Sequence, residues 1–308
     1  MTHPLQMQLT LAASPERIFQ ALTASAELAS WFAEHADVSI AEKRYDFWGR
    51  FTPDIPDQAH GHHAVQAVEP NRYLKFEWRI RDAETMVEWR LDPRDNGTQI
   101  ILRQTNAPPA HDIAISTIED FWFVSLENLR RHLDGKPITR CDFSAIRPGD
   151  ITHSIEIDGL KQAVFEALIN PAQLERWIAS NAAVEPRVGG VYDFGWNEAG
   201  RLKILELIPN EKLSLTWPEA GRETIVTWTL AESGGKTRLT LVHSGFAPDE
   251  PTGGLNAGWL NFMGWVRSLV EYGPAWATPV LWLKENMGPF YAASMGQRQN
   301  EITPLPGG

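Results

Sequence analysis

The chain has 308 residues, 43% hydrophobic and 22% charged, the composition of an ordinary globular protein long enough for two domains. Its formal net charge of −11 argues against a nucleic-acid backbone or an anionic membrane as main partner, and its single cysteine, Cys141, excludes an intrachain disulfide and a multi-cysteine metal site. No apolar run is long enough for a membrane span, and the opening MTHPLQMQLTL reads as no secretion signal, so a cytoplasmic protein is expected.

In chain order, Gln6–Leu11 predicts an opening strand. A short helix follows, with Ser14 as N-cap and Pro15 in the first turn, where its missing N–H costs nothing. Tyr45 and Phe47 start an alternating segment, RYDFWGRF. Leu74, Phe76 and Trp78 then share one face while Lys75, Glu77 and Arg79 share the other, a period of two that marks antiparallel strands buried on one side. Thr85, Val87, Trp89 and Leu91 repeat the pattern, Asp95-Asn96-Gly97 reads as a turn, and Ile100, Leu102 and Gln104 continue it. A helix follows, with Trp122, Leu126, Leu129 and Leu133 on one stripe.

The second half spells the same order again. His153–Ile157 is a strand, KQAVFEALINPAQLERWI aligns with ERIFQALTASAELASWF, and VYDFGWNE answers RYDFWGRF. Leu213, Leu215 and Trp217 match the strand of Trp78; Thr224, Val226, Trp228 and Leu230 match that of Trp89. Leu239, Leu241 and His243 match the strand of Gln104, and Phe262, Trp265, Val266 and Leu269 form the closing stripe. A repeat this long is a duplicated domain. The expected divisions are residues 1–143 and 151–272, a linker at 144–150, and a C-terminal extension at 273–308. In the extension, Thr278-Pro279 is expected to open a helix that Gly288 ends. Trp276, Trp282, Phe290 and Tyr291 are expected to dock on the body, or to cover a pocket mouth or a homodimer or protein-partner surface.

The order of SPERIFQALT, ELASWF, YDF, VEPNRYLKFEW, VEWRL, NGTQIILRQT and a closing helix resembles the START-like (SRPBCC) superfamily. Within it, the sequence is most similar to the group named after the C-terminal domain of the activator of the heat-shock protein 90 ATPase. The resemblance covers both halves up to about Tyr272. It implies an α+β architecture of two tandem helix-grip domains, in each of which a curved antiparallel sheet and a long helix enclose an apolar pocket. The eukaryotic co-chaperone of that name also needs a separate chaperone-binding domain, for which these residues offer no counterpart, so chaperone activation is not expected to carry over.

Candidate ligand-binding residues are those expected on the inner faces: Gly49, Trp78, Trp89, Gln104, Trp196, Trp217, Trp228 and His243. Tryptophan combines a large apolar area with one N–H that orients a guest. The recurrence of Trp78 as Trp217, and of Trp89 as Trp228, also fits plain core packing. Alternation from Tyr45 and Phe47 puts Gly49 inward and Trp48 outward, whereas Trp196 follows Tyr192 and Phe194 inward. The expectation is space in the first domain and a stacking position in the second. Gln104 and His243 are equivalent, and either supplies the polar anchor of an apolar cavity; His243 also reads as a core histidine held by a carbonyl or by Ser244. His60 and His62 share a strand face at a chelating spacing but lack designated further ligands, so an exposed loop or strand edge is the expectation, with no metal and no cofactor. Cys141 reads as a packing residue, Asp249-Glu250 as solvated. No nucleophile elbow, phosphate loop or dinucleotide fingerprint is present. The function expected is binding of a small hydrophobic molecule. The alternatives are a START-like aromatase, cyclase or hydrolase using His243, and a protein-interaction or co-chaperone-like module.

Overall fold

A computed structural model describes residues 5–80, 83–106, 118–144, 148–196, 201–219 and 221–282. The chain divides into two compact units. The first comprises Met1–Ile146, Gly253–Asn261 and Pro279–Trp282; the second comprises Arg147–Thr252, Phe262–Thr278 and Leu283–Gly308.

In the first unit β1 (Leu5–Leu11) leads into α1 (Pro15–Thr23) and α2 (Ser25–Trp31), then β2 (His35–Ser39), β3 (Arg44–Trp48), β4 (Val65–Glu69), β5 (Tyr73–Ile80), β6 (Ala83–Arg94), β7 (Gly97–Thr105) and α3 (Ile118–Leu133). The second repeats the order: β8 (Ile151–Ile157), α4 (Lys161–Ile169), α5 (Pro171–Trp177), β9 (Ala183–Val184), β10 (Val191–Asp193), β11 (Arg201–Ile208), β12 (Lys212–Glu219), β13 (Arg222–Ser233), β14 (Lys236–Ser244) and, of α6 (Gly253–Tyr272), the part from Phe262 onward. In the second unit the strands form one antiparallel sheet in the order β8-β14-β13-β12-β11-β10-β9. The first unit follows the same path through β1-β7-β6-β5-β4, with β2 and β3 as a separate hairpin. That hairpin is tied to the chain before β4 by Tyr45 N–H to His63 O (2.9 Å) and Phe47 N–H to Gly61 O (3.1 Å). Each unit is an α+β helix-grip fold.

The repeated letters of the sequence have a shared mechanical reason. A helix end leaves its last carbonyls without helical partners. In the first unit the Trp31 indole N–H reaches Ala21 O at 3.0 Å and the Tyr45 hydroxyl reaches Leu22 O at 2.7 Å. In the second unit Trp177 reaches Ala167 O at 2.9 Å and Tyr192 reaches Leu168 O at 2.5 Å. The Ala-Leu, Trp and Tyr-Asp-Phe elements recur because together they lock the first helix of each unit to its sheet. Ser14 caps α1 as the sequence predicts, accepting from Arg17 N–H at 3.3 Å.

The extension departs from expectation. After a short 3₁₀ turn at Gly273–Ala275, Val280–Trp282 forms a strand, β15, where a helix opening at Thr278-Pro279 is predicted. It pairs antiparallel with the edge of β1, Gln6 opposite Trp282 and Gln8 opposite Val280. The cause is tertiary: an edge strand offers unpaired N–H and C=O groups, and an extended segment satisfies them. Trp276 is buried, and Arg176 donates to the carbonyls of Gly273 (2.6 Å) and Trp276 (3.3 Å). Gly288, where the predicted helix ends, and Phe290 and Tyr291, expected to dock or to cover a surface, lie outside the described residues.

Candidate functional site

The inner face of the first unit is packed with aromatic rings. Trp78 is 0% exposed and meets Phe47, Phe121 and Trp122 edge-on at 5.3–5.6 Å, and Trp89 is buried against Trp31 and Trp122. One polar chain crosses this core. The Trp122 indole N–H donates to Gln104 Oε1 (2.6 Å), Gln104 Nε2 to Thr85 Oγ1 (2.8 Å), and the Thr85 hydroxyl to Trp78 O (2.6 Å). Gln104 therefore has both ends engaged within its own core. Beside α3 a cavity of about 10 Å³, lined by Phe32, Phe121, Ser125 and Cys141 among others, is on the scale of one water.

The matching positions of the second unit are built differently. His243 is 0% exposed, and its Nε2 lies 2.7 Å from Thr224 Oγ1. The Thr224 hydroxyl gives its only hydrogen to Trp217 O at 2.8 Å, so Nε2 must carry the proton and donate. Burial pushes the His243 pKa down to about 4, with Asp150 opposing and Arg222 adding, so the ring is neutral at pH 7. Trp217 is only half-buried, unlike Trp78, and its ring lies 6.1 Å from that of His243. Two rungs outward from Trp217 and Thr224, Glu219 pairs with Arg222 in register. Arg222 holds Glu250 at 2.5 Å and covers the Phe246 ring at 5.3 Å. Burial raises the Glu219 carboxyl above its usual range, with Arg222 opposing and Glu250 adding. Glu250 is thus ion-paired to Arg222 and accepts from Ala247 N–H rather than being a freely solvated loop residue. Phe262, at the α6 position that matches Trp122 in α3, carries no N–H.

The exchange of Trp and Gly after Tyr-Asp-Phe is seen at both sites. Trp48 is partly exposed and stacks on His35, whereas Trp196 is buried, stacks on Phe194 at 4.5 Å and donates to Ile178 O at 2.8 Å. Trp228 is buried in the core of its unit. Gly49 corrects the expectation of space. The strand ends at Trp48 and Gly49 turns with φ +107°, so its missing Cβ points at Glu34, whose Cβ would lie 2.5 Å away. Alternation cannot be carried past the end of a strand. Glu34 itself is pulled down to about 2 by its hydrogen bonds from Arg50, which outweigh the partial burial.

His60 and His62 bind carboxylates, Asp57 and Asp46, each at 2.7 Å, and both are exposed. Among the described residues no group of three or more His, Cys, Asp or Glu side chains could hold a metal ion, and no helix is long and apolar enough to cross a membrane. His63 is the residue that grouping the histidines together misses. It precedes β4, is 4% exposed, and its ring lies 4.2 Å from that of Phe47. A shallow groove of about 390 Å³ on the outer side of the first unit, lined by Glu69, Arg72, Tyr73, Arg90 and Asp92, carries balanced charge and belongs to neither interior.

The family model of Activator of Hsp90 ATPase homolog 1-like proteins matches residues 12–134 and again 161–271. No curated protein is similar enough to stand as a relative. Among solved structures, protein MLL2253 from Mesorhizobium loti is 27% identical over 40% of this chain and 98% of its own, with a TM-score of 0.37. The Aha1 dimer from Colwellia psychrerythraea is 22% identical over 41% of this chain and 98% of its own, with a TM-score of 0.37. DynU16, from the dynemicin biosynthetic locus, is 19% identical but spans 86% of this chain and 96% of its own, with a TM-score of 0.35. At these scores the likenesses carry no argument about chemistry. Two matches of one family model in tandem, on two helix-grip units with the same helix locks, establish that this chain belongs to the Activator of Hsp90 ATPase homolog 1-like family, within the START-like superfamily, as a tandem duplication.

Proposed function

We propose that the chain is a cytoplasmic binding protein whose second unit takes up a small apolar molecule. The guest lies between the inner face of β12–β14 and the Phe262–Tyr272 part of α6, with its apolar body against Trp217, Trp228 and Trp196. An uncharged polar group at one end is recognised beside His243 and Thr224. The observation that carries this reading is the difference between equivalent tryptophans: Trp78 is sealed in the core, whereas Trp217 is half-buried beside a neutral, wholly buried histidine. An apolar space with a few convergent polar groups is the usual form of a small-molecule site. A histidine held near pKa 4 is a poor match for acid–base work at neutral pH, which favours binding over catalysis through His243.

The test is a titration with the uncharged fluorophore N-phenyl-1-naphthylamine. Saturable binding at one site per chain, weakened about tenfold by Trp217→Ala, is expected. Equal binding by wild type and that variant would refute the assignment to the second unit.

A further inference from the structure

The duplication makes each unit a control for the other. On the outer sheet face of the first unit one rung runs Lys75, Glu88, Arg103 across β5, β6 and β7, with Lys75 bridged to Glu88 at 2.9 Å. The same rung of the second unit runs Ser214, Thr227, Val242 and on to Thr152 of β8. One rung further, Thr216 and Ile225 stand where the first unit has Glu77 and Met86. Equivalent strands carry charge in one unit and none in the other, so the fold itself does not require the uncharged version.

The exposed hydrophobic residues gather on the same face. Among the described residues the large ones left exposed are Leu160, Val188, Leu205, Ile208 and Ile225, all in the second unit. Ile225 lies on the uncharged rungs, Ile208 stands opposite Lys212, and Leu205 sits at the bulge before Glu206. The hydroxyls around them are engaged along the sheet: Ser214 with Thr227 at 2.9 Å, Ser154 with Thr240 at 2.8 Å, and Thr216 Oγ1 with Lys203 N–H at 2.9 Å. Hydroxyls already bonded to neighbours need little further hydration, so covering this face costs little. Charge returns at the edges, in the pairs Lys212–Glu206 (2.7 Å) and Arg238–Glu156 (3.5 Å). An uncharged centre inside a charged rim is the anatomy of a protein interface.

Charge and area indicate the partner. A chain of net charge −11 repels its own copies, and a face without charge is where two of them can meet. The uncharged block is four strands wide at about 4.8 Å each and up to five residues long at about 3.4 Å each, a flat core of roughly 300 Å². With a rim one residue wide it comes near the roughly 800 Å² per partner of a standard interface. We propose that the outer face of β8, β14, β13 and β12 is the contact between two copies of this chain, packed sheet on sheet about a two-fold axis. Thr227 and Val242, on the two middle strands, lie near its centre.

The experiment is sedimentation equilibrium of the full chain from micromolar to near-millimolar concentration. A monomer–dimer equilibrium is expected. Val242→Arg and Thr227→Glu write into the second unit the charges that the first carries at Arg103 and Glu88, on strands that fold with them. Each is expected to weaken dimerisation about tenfold or more with the melting temperature little changed. Leu160→Ser removes the most exposed hydrophobic side chain, outside these rungs, and is expected to leave the dimer intact. Should one interface variant fail to fold by circular dichroism, the other decides. A wild type that stays monomeric, a dimer that a folded Val242→Arg or Thr227→Glu leaves intact, or one that Leu160→Ser dissociates would each overturn the proposal.

Discussion

The His243 Nε2–H and the Trp217 carbonyl meet on one hydroxyl: Thr224 Oγ1 accepts from the histidine at 2.7 Å and donates to the carbonyl at 2.8 Å. Every hydrogen of that chain is therefore assigned, which fixes the histidine tautomer. Thr224→Val keeps the shape and strands a buried N–H, so a loss of about 1–3 kcal/mol is expected in urea unfolding. The pair Thr224→Val/His243→Leu, which removes both partners, is expected to be less destabilised than the sum of the singles. Simple additivity would show that the two side chains do not interact.

Stability should fall with acid in a defined window. His243 and His63 both have pKa values lowered by burial, from 6.5 to about 4 and about 3. The unfolded chain takes up protons below about pH 6.5 while the folded chain does not. The stabilisation is thus complete above that pH and drains away as pH falls toward the folded values, at roughly 1.4 kcal/mol per pH unit per histidine. Replacing either residue by Leu should flatten the pH dependence between pH 6 and 4. An unaltered slope in both variants would mean that neither histidine is buried in its neutral form.

The helix locks predict matched losses in the two units. Tyr45→Phe and Tyr192→Phe each delete one buried hydroxyl from the carbonyl of an equivalent leucine. Each should cost about 1–2 kcal/mol, measured by chemical denaturation. A large cost in one unit and none in the other would break the equivalence on which the repeat is read.

Gly49→Ala is expected to destabilise the first unit by about 1–3 kcal/mol, because φ +107° disfavours a side chain and the new Cβ meets Glu34. Thermal melting checks it. A neutral substitution would show that the turn relaxes freely.

The fold was legible because its signals are redundant: alternation in the strands of Trp78 and Trp217, a stripe on each closing helix, and aromatic tips recurring at matching positions. The site was less so, for reasons that can be named. His63 hid inside HGHH because histidines invite grouping by type, whereas its place against Phe47 comes from the pairing of this segment with β3. Gly49 looked inward only if the strand ran on, and a turn residue with positive φ gives no such signal to a count of twos. The strand at Val280–Trp282 exists because β1 has an open edge, which is a property of the folded sheet and not of those three residues. Trp78 and Trp217 are the same letter in equivalent strands; their different exposure comes from what surrounds them.

Native mass spectrometry of the purified chain, followed by solvent extraction of whatever it carries, tests the central claim most directly. The account predicts an apolar compound held by the wild type and lost from Trp217→Ala while the variant stays folded. A wild type that carries nothing and takes up no apolar compound from a mixed extract would contradict it.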